Sequence, residues 1–96
     1  MRIIAKRALR AFWRKHPQAE QPLKSWYAEA SQAEWSNFTE VRAMFNSADV
    51  VGERIVFNIG GNKYRIVVVA DFLRHGLLIR FVGTHAEYDK IDARSI

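Results

Sequence analysis

The sequence predicts an α+β domain: two N-terminal helices pack on a small antiparallel sheet, and a short C-terminal helix follows. Three observations carry this. Apolar side chains recur at helical spacing up to about residue 45. From Arg54 onward the pattern changes to runs rich in branched and aromatic residues, separated by glycine-bearing turns. A chain of 96 residues is one domain, because a core of this size does not divide.

Met1 to Ile4 reads as a short strand. In the helix expected over Ala5–His16, Ala5, Ala8, Leu9 and Phe12 mark an apolar side, and Lys6, Arg10 and Arg14 step by four along another. Pro17 stops it, since the residue before a proline is steered out of the helical region. Pro22 is tolerated in the first turn of a second helix, whose Leu23, Trp26, Tyr27 and Ala30 should face the core. Ser36-Asn37 followed by Glu40 resembles a capped start for a short helical turn carrying Phe38, Val41, Met44 and Phe45. These aromatics read as packing rather than as a platform for stacked bases. Three strands follow: Arg54–Asn58, Lys63–Phe72 and Leu77–Val82, joined at Gly60-Gly61-Asn62 and at Arg74-His75-Gly76. They form a meander, with the N-terminal strand added to the same sheet. Val67-Val68-Val69 makes the middle strand apolar on both faces, so it should be central and covered, with Asp71 and Arg74 blunting its far end. Thr84 and Glu87 stand at capping-box spacing and open the last helical turn.

The net charge is +5, and its distribution is uneven. Residues 1–24 hold seven basic side chains against Glu20 alone; residues 54–96 hold seven against four acidic ones; the middle is anionic. Two cationic ends suit a polyanion such as RNA, although solvated lysines and arginines also serve solubility alone. Without cysteine there is no disulfide framework and no thiolate zinc site, as suits a reducing cytosol. No apolar run is long enough to span a bilayer and the first residues lack a secretory pattern, so no membrane association is expected and the protein should stay in the cytoplasm where it is made. Three scattered histidines with no carboxylate at ligand spacing do not suggest a metal, and no cofactor is expected.

Chemistry-bearing residues gather at one edge of the meander: Asn58, Asn62, Lys63, Arg65, Arg80, His85 and Tyr88. A tight turn at Gly60-Gly61 would set Asn58 opposite Lys63 and Val56 opposite Arg65. A second turn near residue 75 would set Arg65 opposite His85. Asn58, Lys63, Arg65 and His85 would then share a sheet face, with Arg80 on the other. A one-residue slip exchanges Arg80 for His85, and a bulge at Gly83 would bring both to one side. Such a patch meets the needs of RNA scission: a base for the 2′-hydroxyl, a cation for the equatorial oxygens and a proton for the leaving 5′-oxygen. Arginine offers a planar fork, and histidine titrates near working pH. Duller readings stand beside these. Arg65 could pair with Asp71 or Glu87, His85 could be a surface histidine, and Tyr88 could close the core. His16 and His75 read as solvated.

Two segments carry a resemblance, Val56-Phe57-Asn58-Ile59-Gly60-Gly61-Asn62-Lys63-Tyr64-Arg65-Ile66-Val67 and Ile79-Arg80-Phe81-Val82-Gly83-Thr84-His85-Ala86-Glu87-Tyr88-Asp89-Lys90-Ile91. With Ala11-Phe12-Trp13, His16-Pro17, Leu23-Lys24-Ser25-Trp26-Tyr27 and Ser47-Ala48-Asp49-Val50-Val51, the chain resembles the HigB-type toxins, a branch of the RelE-like ribonuclease toxins. The resemblance implies a RelE-like fold and an endoribonuclease that enters the ribosomal A site and cuts mRNA during translation. It also implies a partner, a HigA-type helix-turn-helix antitoxin. Arg65 matches the arginine that steadies the scissile phosphate, His85 stands where relatives carry another cationic catalytic residue, and Tyr88 is near a C-terminal tyrosine of some. Where several RelE-like enzymes carry lysines before the hairpin, this chain has Val56 and Asn58, so base and acid are not assigned by the resemblance. The expectation gives His85 the proton transfer, Arg65 the phosphate, and Lys63 and Arg80 electrostatic support. Tyr88 would stack or donate a proton, and Asn58 and Asn62 would contact RNA. A non-catalytic RNA- or protein-binding module, or a RelE-like fold acting on a target such as topoisomerase, are the rival readings.

Overall fold

In the computed structural model, which describes residues 1–96, the chain forms five strands and four α-helices. Strand β1 (Arg2–Ile4) leads directly into α1 (Lys6–Lys15). The helix ends ahead of Pro17 with Arg14 and Lys15 in its last turn, where cations suit the exposed carbonyls. A single 3-10 turn over Pro17–Ala19 carries the chain into α2 (Glu20–Gln32), which tolerates Pro22 in its first turn as expected. Helix α3 (Phe38–Met44) is capped by Asn37, whose side chain accepts from the Glu40 N–H at 3.0 Å. The Glu40 carboxylate reaches back to the Ser36 N–H at 2.6 Å.

The remaining strands are β2 (Asp49–Val51), β3 (Arg54–Ile59), β4 (Tyr64–Asp71) and β5 (Gly76–Thr84), followed by α4 (His85–Tyr88). The sheet order is β1-β5-β4-β3-β2. The α+β class and the central β3-β4-β5 meander are as expected, and two features extend it. The sheet is mixed, because β1 runs parallel to β5, with Arg2 beside Gly76 and Ile4 beside Leu78. A three-residue strand carries too little pattern to state its direction. The fifth strand, β2, forms a two-residue hairpin with β3 through Gly52 and Glu53. Gly52 has φ 63°, the left-handed conformation that such a turn requires of its first residue.

The helices cover one sheet face. Leu9, Leu23, Trp26 and Ala30 meet Ile55, Phe57, Ile59, Tyr64, Ile66 and Val68 in the main core. Phe57 lies at its aromatic centre, with ring centroids 5.2 Å from Trp26, 5.4 Å from Phe45 and 6.3 Å from Trp35. Trp26 and Trp35 are buried, so the central aromatics are packing. The opposite sheet face carries Val56, Val67 and Phe81, over which the C-terminal segment folds Tyr88, Ala93 and Ile96 as a second small core. Strand β4 is thus covered on both faces, as its run of valines demands. No helix is long and apolar enough to cross a membrane.

Candidate functional site

The β3–β4 turn is longer than two residues, and this corrects the expected register. Ile59 pairs with Tyr64, and the intervening Gly60, Gly61 and Asn62 take φ of 63°, 64° and 76°. Asn58 therefore opposes Arg65 rather than Lys63, and Val56 opposes Val67 rather than Arg65. Lys63 lies in the turn and its side chain is exposed. The slip is two residues, so the faces are kept: Asn58 and Arg65 still share one.

On the other side, Arg65 opposes Gly83, not His85. The register shift falls between Val67 and Val68, whose partners are Phe81 and Ile79, so the extra residue is Arg80 itself and not Gly83. Arg80 is exposed, joins no side-chain hydrogen bond or ion pair, and stands three residues along β5 from Gly83, roughly 10 Å of strand. It is not part of the cluster.

Arg65 and His85 nevertheless meet, because the chain turns back after β5. Thr84 ends the strand and caps α4 in a reciprocal box with Glu87: its hydroxyl accepts from the Glu87 N–H at 3.1 Å, and the Glu87 carboxylate accepts from the Thr84 N–H at 2.8 Å. That backbone hydrogen bond holds the Glu87 carboxyl below the usual carboxylate range; the charges of His16 and Lys15 act in the same direction, and partial desolvation opposes them. The His85 N–H donates to the Lys63 carbonyl at 3.0 Å, pinning the start of α4 to the hairpin turn.

The imidazole then lies beside the guanidinium, with His85 Nε2 at 3.1 Å from an Arg65 terminal nitrogen. The same nitrogen donates to Asn62 Oδ1 at 3.2 Å. The guanidinium carbon stands 4.6 Å from the centroid of the Tyr88 ring, which leans in turn on Phe81 at 6.4 Å. Gly83 makes room for this stack: a Cβ there would lie 2.4 Å from Phe81 Cζ. Asn62, Arg65, His85 and Tyr88 thus form one cluster, with Asn58 directly across the ladder and Lys63 contributing its carbonyl.

The duller readings of Arg65 do not match this geometry. Asp71 pairs with Arg74 at 3.0 Å, Glu87 serves the cap, and Arg65 has no carboxylate partner. Its half-buried guanidinium keeps an Nε with no hydrogen-bond partner. A buried donor left unpaired beside an unneutralised charge is costly for a purely structural arginine. Of the other histidines, His75 is an exposed turn residue with φ 55°, whereas His16 is half-buried and stacks on Phe12 at 4.4 Å, so it is packing rather than solvated. Asp89, which residue type alone does not single out, completes the surroundings of the ring: its Oδ2 lies 3.1 Å from His85 Nδ1. The i,i+4 spacing of His85 and Asp89 on a capped turn was the available signal. No three His, Cys, Asp or Glu side chains gather as a metal-binding group.

Comparison with known proteins bears on what such a cluster belongs to. The family model described as "HigB_toxin, RelE-like toxic component of a toxin-antitoxin system" matches residues 19–91. An mRNA interferase HigB of Escherichia coli O6:H1 is 30% identical over 94 residues, spanning 95% of this chain and 91% of the relative. The mRNA interferase toxin HigB of Escherichia coli K12 is 32% identical over 92 residues, 93% of this chain and 88% of the relative. The mRNA interferase HigB of Shigella flexneri matches over the same spans at the same 32% identity. Because the family match takes in α2, α3, the whole meander and the Arg65–His85 cluster, and the relatives align over nearly the full chain, this chain belongs to the HigB family of RelE-like toxins, the toxic components of toxin–antitoxin systems.

Proposed function

We propose that this chain is a ribosome-dependent endoribonuclease that cuts translated mRNA, with Arg65, His85 and Tyr88 as its active site. The relatives' names supply the substrate class. The observation that carries the reading is the Arg65–His85 contact of 3.1 Å, a phosphate-binding fork beside a proton acceptor, with no carboxylate neutralising the fork. An incoming phosphate oxygen competes with Nε2 for the guanidinium hydrogen. When it prevails, the Nε2 lone pair is free to take the proton of the 2′-hydroxyl. The 2′-oxygen bonds to phosphorus while charge on the equatorial oxygens is held by Arg65. The bond to the 5′-oxygen breaks, and that oxygen takes a proton from the Tyr88 hydroxyl. The proton on His85 returns to Tyr88 through water, leaving a cyclic phosphate and a free 5′-hydroxyl.

In this scheme Asn62 and Tyr88 hold the fork, and Asn58 and Lys63 flank it as RNA contacts. Arg80, about 10 Å along the strand, meets a more distant phosphate. So small a domain has little surface for a substrate channel, and the ribosomal A site provides positioning instead. Such a toxin works in the cytoplasm, and its antitoxin is in this reading a HigA-type helix-turn-helix protein.

Expression of wild-type, Arg65→Ala and His85→Ala chains in growing cells, with primer extension on induced messages, tests this. Wild type should arrest growth and cut within codons of translated messages only, and the two variants should do neither. Equal toxicity and an unchanged cleavage pattern in both variants would defeat the assignment.

A further inference from the structure

His85 stands between two groups that leave its protons no choice. A guanidinium offers only donors, so Nε2, 3.1 Å from Arg65, must accept. An ionised carboxylate only accepts, so Nδ1, 3.1 Å from Asp89 Oδ2, must carry the hydrogen. Together they select the neutral imidazole protonated on Nδ1, with its lone pair on the Arg65 side.

We infer that Asp89 is the positioning residue of this site: it sets the ring orientation and, with Arg65, the tautomer of His85, and thereby makes Nε2 the general base. The inference rests on reading the cluster as a ribonuclease centre. It resolves a choice between base and acid that the residue types leave open. Once Nε2 has taken the 2′-proton, the same carboxylate steadies the imidazolium, whose other neighbour is the cationic Arg65.

Two further observations support the role. Asp89 is the C-cap of α4, where exposed carbonyls disfavour an acidic side chain, so it does not serve the helix. Its only ion-pair partner is His85, and its side chain is 60% exposed, so it does not serve the core. It also leaves Arg65 unneutralised, as phosphate binding requires. The capping box and the His85 N–H···O contact to Lys63 fix the backbone, and Asp89 fixes the ring.

The test combines spectroscopy with kinetics on the full chain. Imidazole nitrogen shifts, read by NMR at about pH 8 where imidazole is neutral, should report Nδ1–H in wild type. With the Arg65 donor removed (Arg65→Ala) they should move toward Nε2–H, the tautomer free histidine prefers, once Asp89 is also replaced. With Arg65 present, Nδ1–H should persist but the ring should lose its fixed orientation in Asp89→Asn and Asp89→Ala. In a reconstituted translation system both variants should lose about 10–100-fold in kcat, with KM for the ribosome-bound message and the thermal midpoint unchanged. An unprotonated Nδ1 in wild type, or wild-type kcat in both variants, overturns the inference. If wild type leaves messages intact, the ribonuclease reading fails and the base role falls with it. The tautomer measurement then decides the Asp89–His85 geometry separately.

Discussion

At Arg65 three neighbours act on one guanidinium. Asn62 and His85 accept from the same terminal nitrogen, and the Tyr88 ring lies beneath the plane. This use of geometry as well as charge makes lysine a poor substitute, since an ammonium has neither the fork nor the flat face. Arg65→Lys is therefore expected to lower cleavage by about 10²-fold in a reconstituted translation system. Retention of the wild-type rate would mean that charge alone suffices and that the stack on Tyr88 is incidental. The residue types of this site were legible from the sequence, but their contacts were only partly so. Asn62 was readable as a turn residue; its bond to Arg65 depends on a left-handed φ of 76° that composition does not reveal.

At the scale of elements, the site is made where the β3–β4 turn and the first residues of β4 meet the end of β5 and the short helix α4. Pairing arithmetic from a two-residue loop misplaced the register by two positions, because Gly60, Gly61 and Asn62 are all left-handed and Lys63 completes a longer turn. The same arithmetic brought Arg65 to His85 across the ladder, whereas the meeting depends on α4 folding back beside the strand. The strand edge at Gly83 is the sensitive point. A methyl group there collides with the Phe81 ring, which leans on Tyr88 beneath Arg65. Gly83→Ala should therefore cost cleavage as well as folding: an activity loss of at least about 10-fold, with destabilisation of about 1–3 kcal/mol as Phe81 shifts. Paired melting and cleavage measurements check this, and a variant that keeps its activity would show that the stack tolerates displacement.

For the whole molecule, pH acts through exposed carboxylates. Glu87 is held below its ordinary 4.5, first by the Thr84 N–H, and Asp71 below its ordinary 3.8, first by the Arg74 guanidinium. Both values are lower in the folded state, so the stability they contribute is present above the ordinary values and is lost as pH falls through the folded ones. Thermal melts should fall in midpoint between about pH 5 and pH 3, and Glu87→Gln should flatten that acid limb relative to wild type. Parallel limbs in the two proteins would exclude the cap as a contributor.

Local chemistry determined much of this protein. Pro17 and Asn37 bounded helices, Thr84 and Glu87 announced the last one, and the valines of β4 required cover on both faces. Each effect acts within a turn or along a strand, so it is written in neighbouring residues. Strand direction in β1, the pairing of the three-residue β2 and the identity of the bulged residue were decided only by assembly. So was the approach of Asp89, His85 and Arg65, which come from the last helix and the central strand. Those features depend on which surfaces remain uncovered once the helices occupy one sheet face, and that competition is settled by packing across the whole chain.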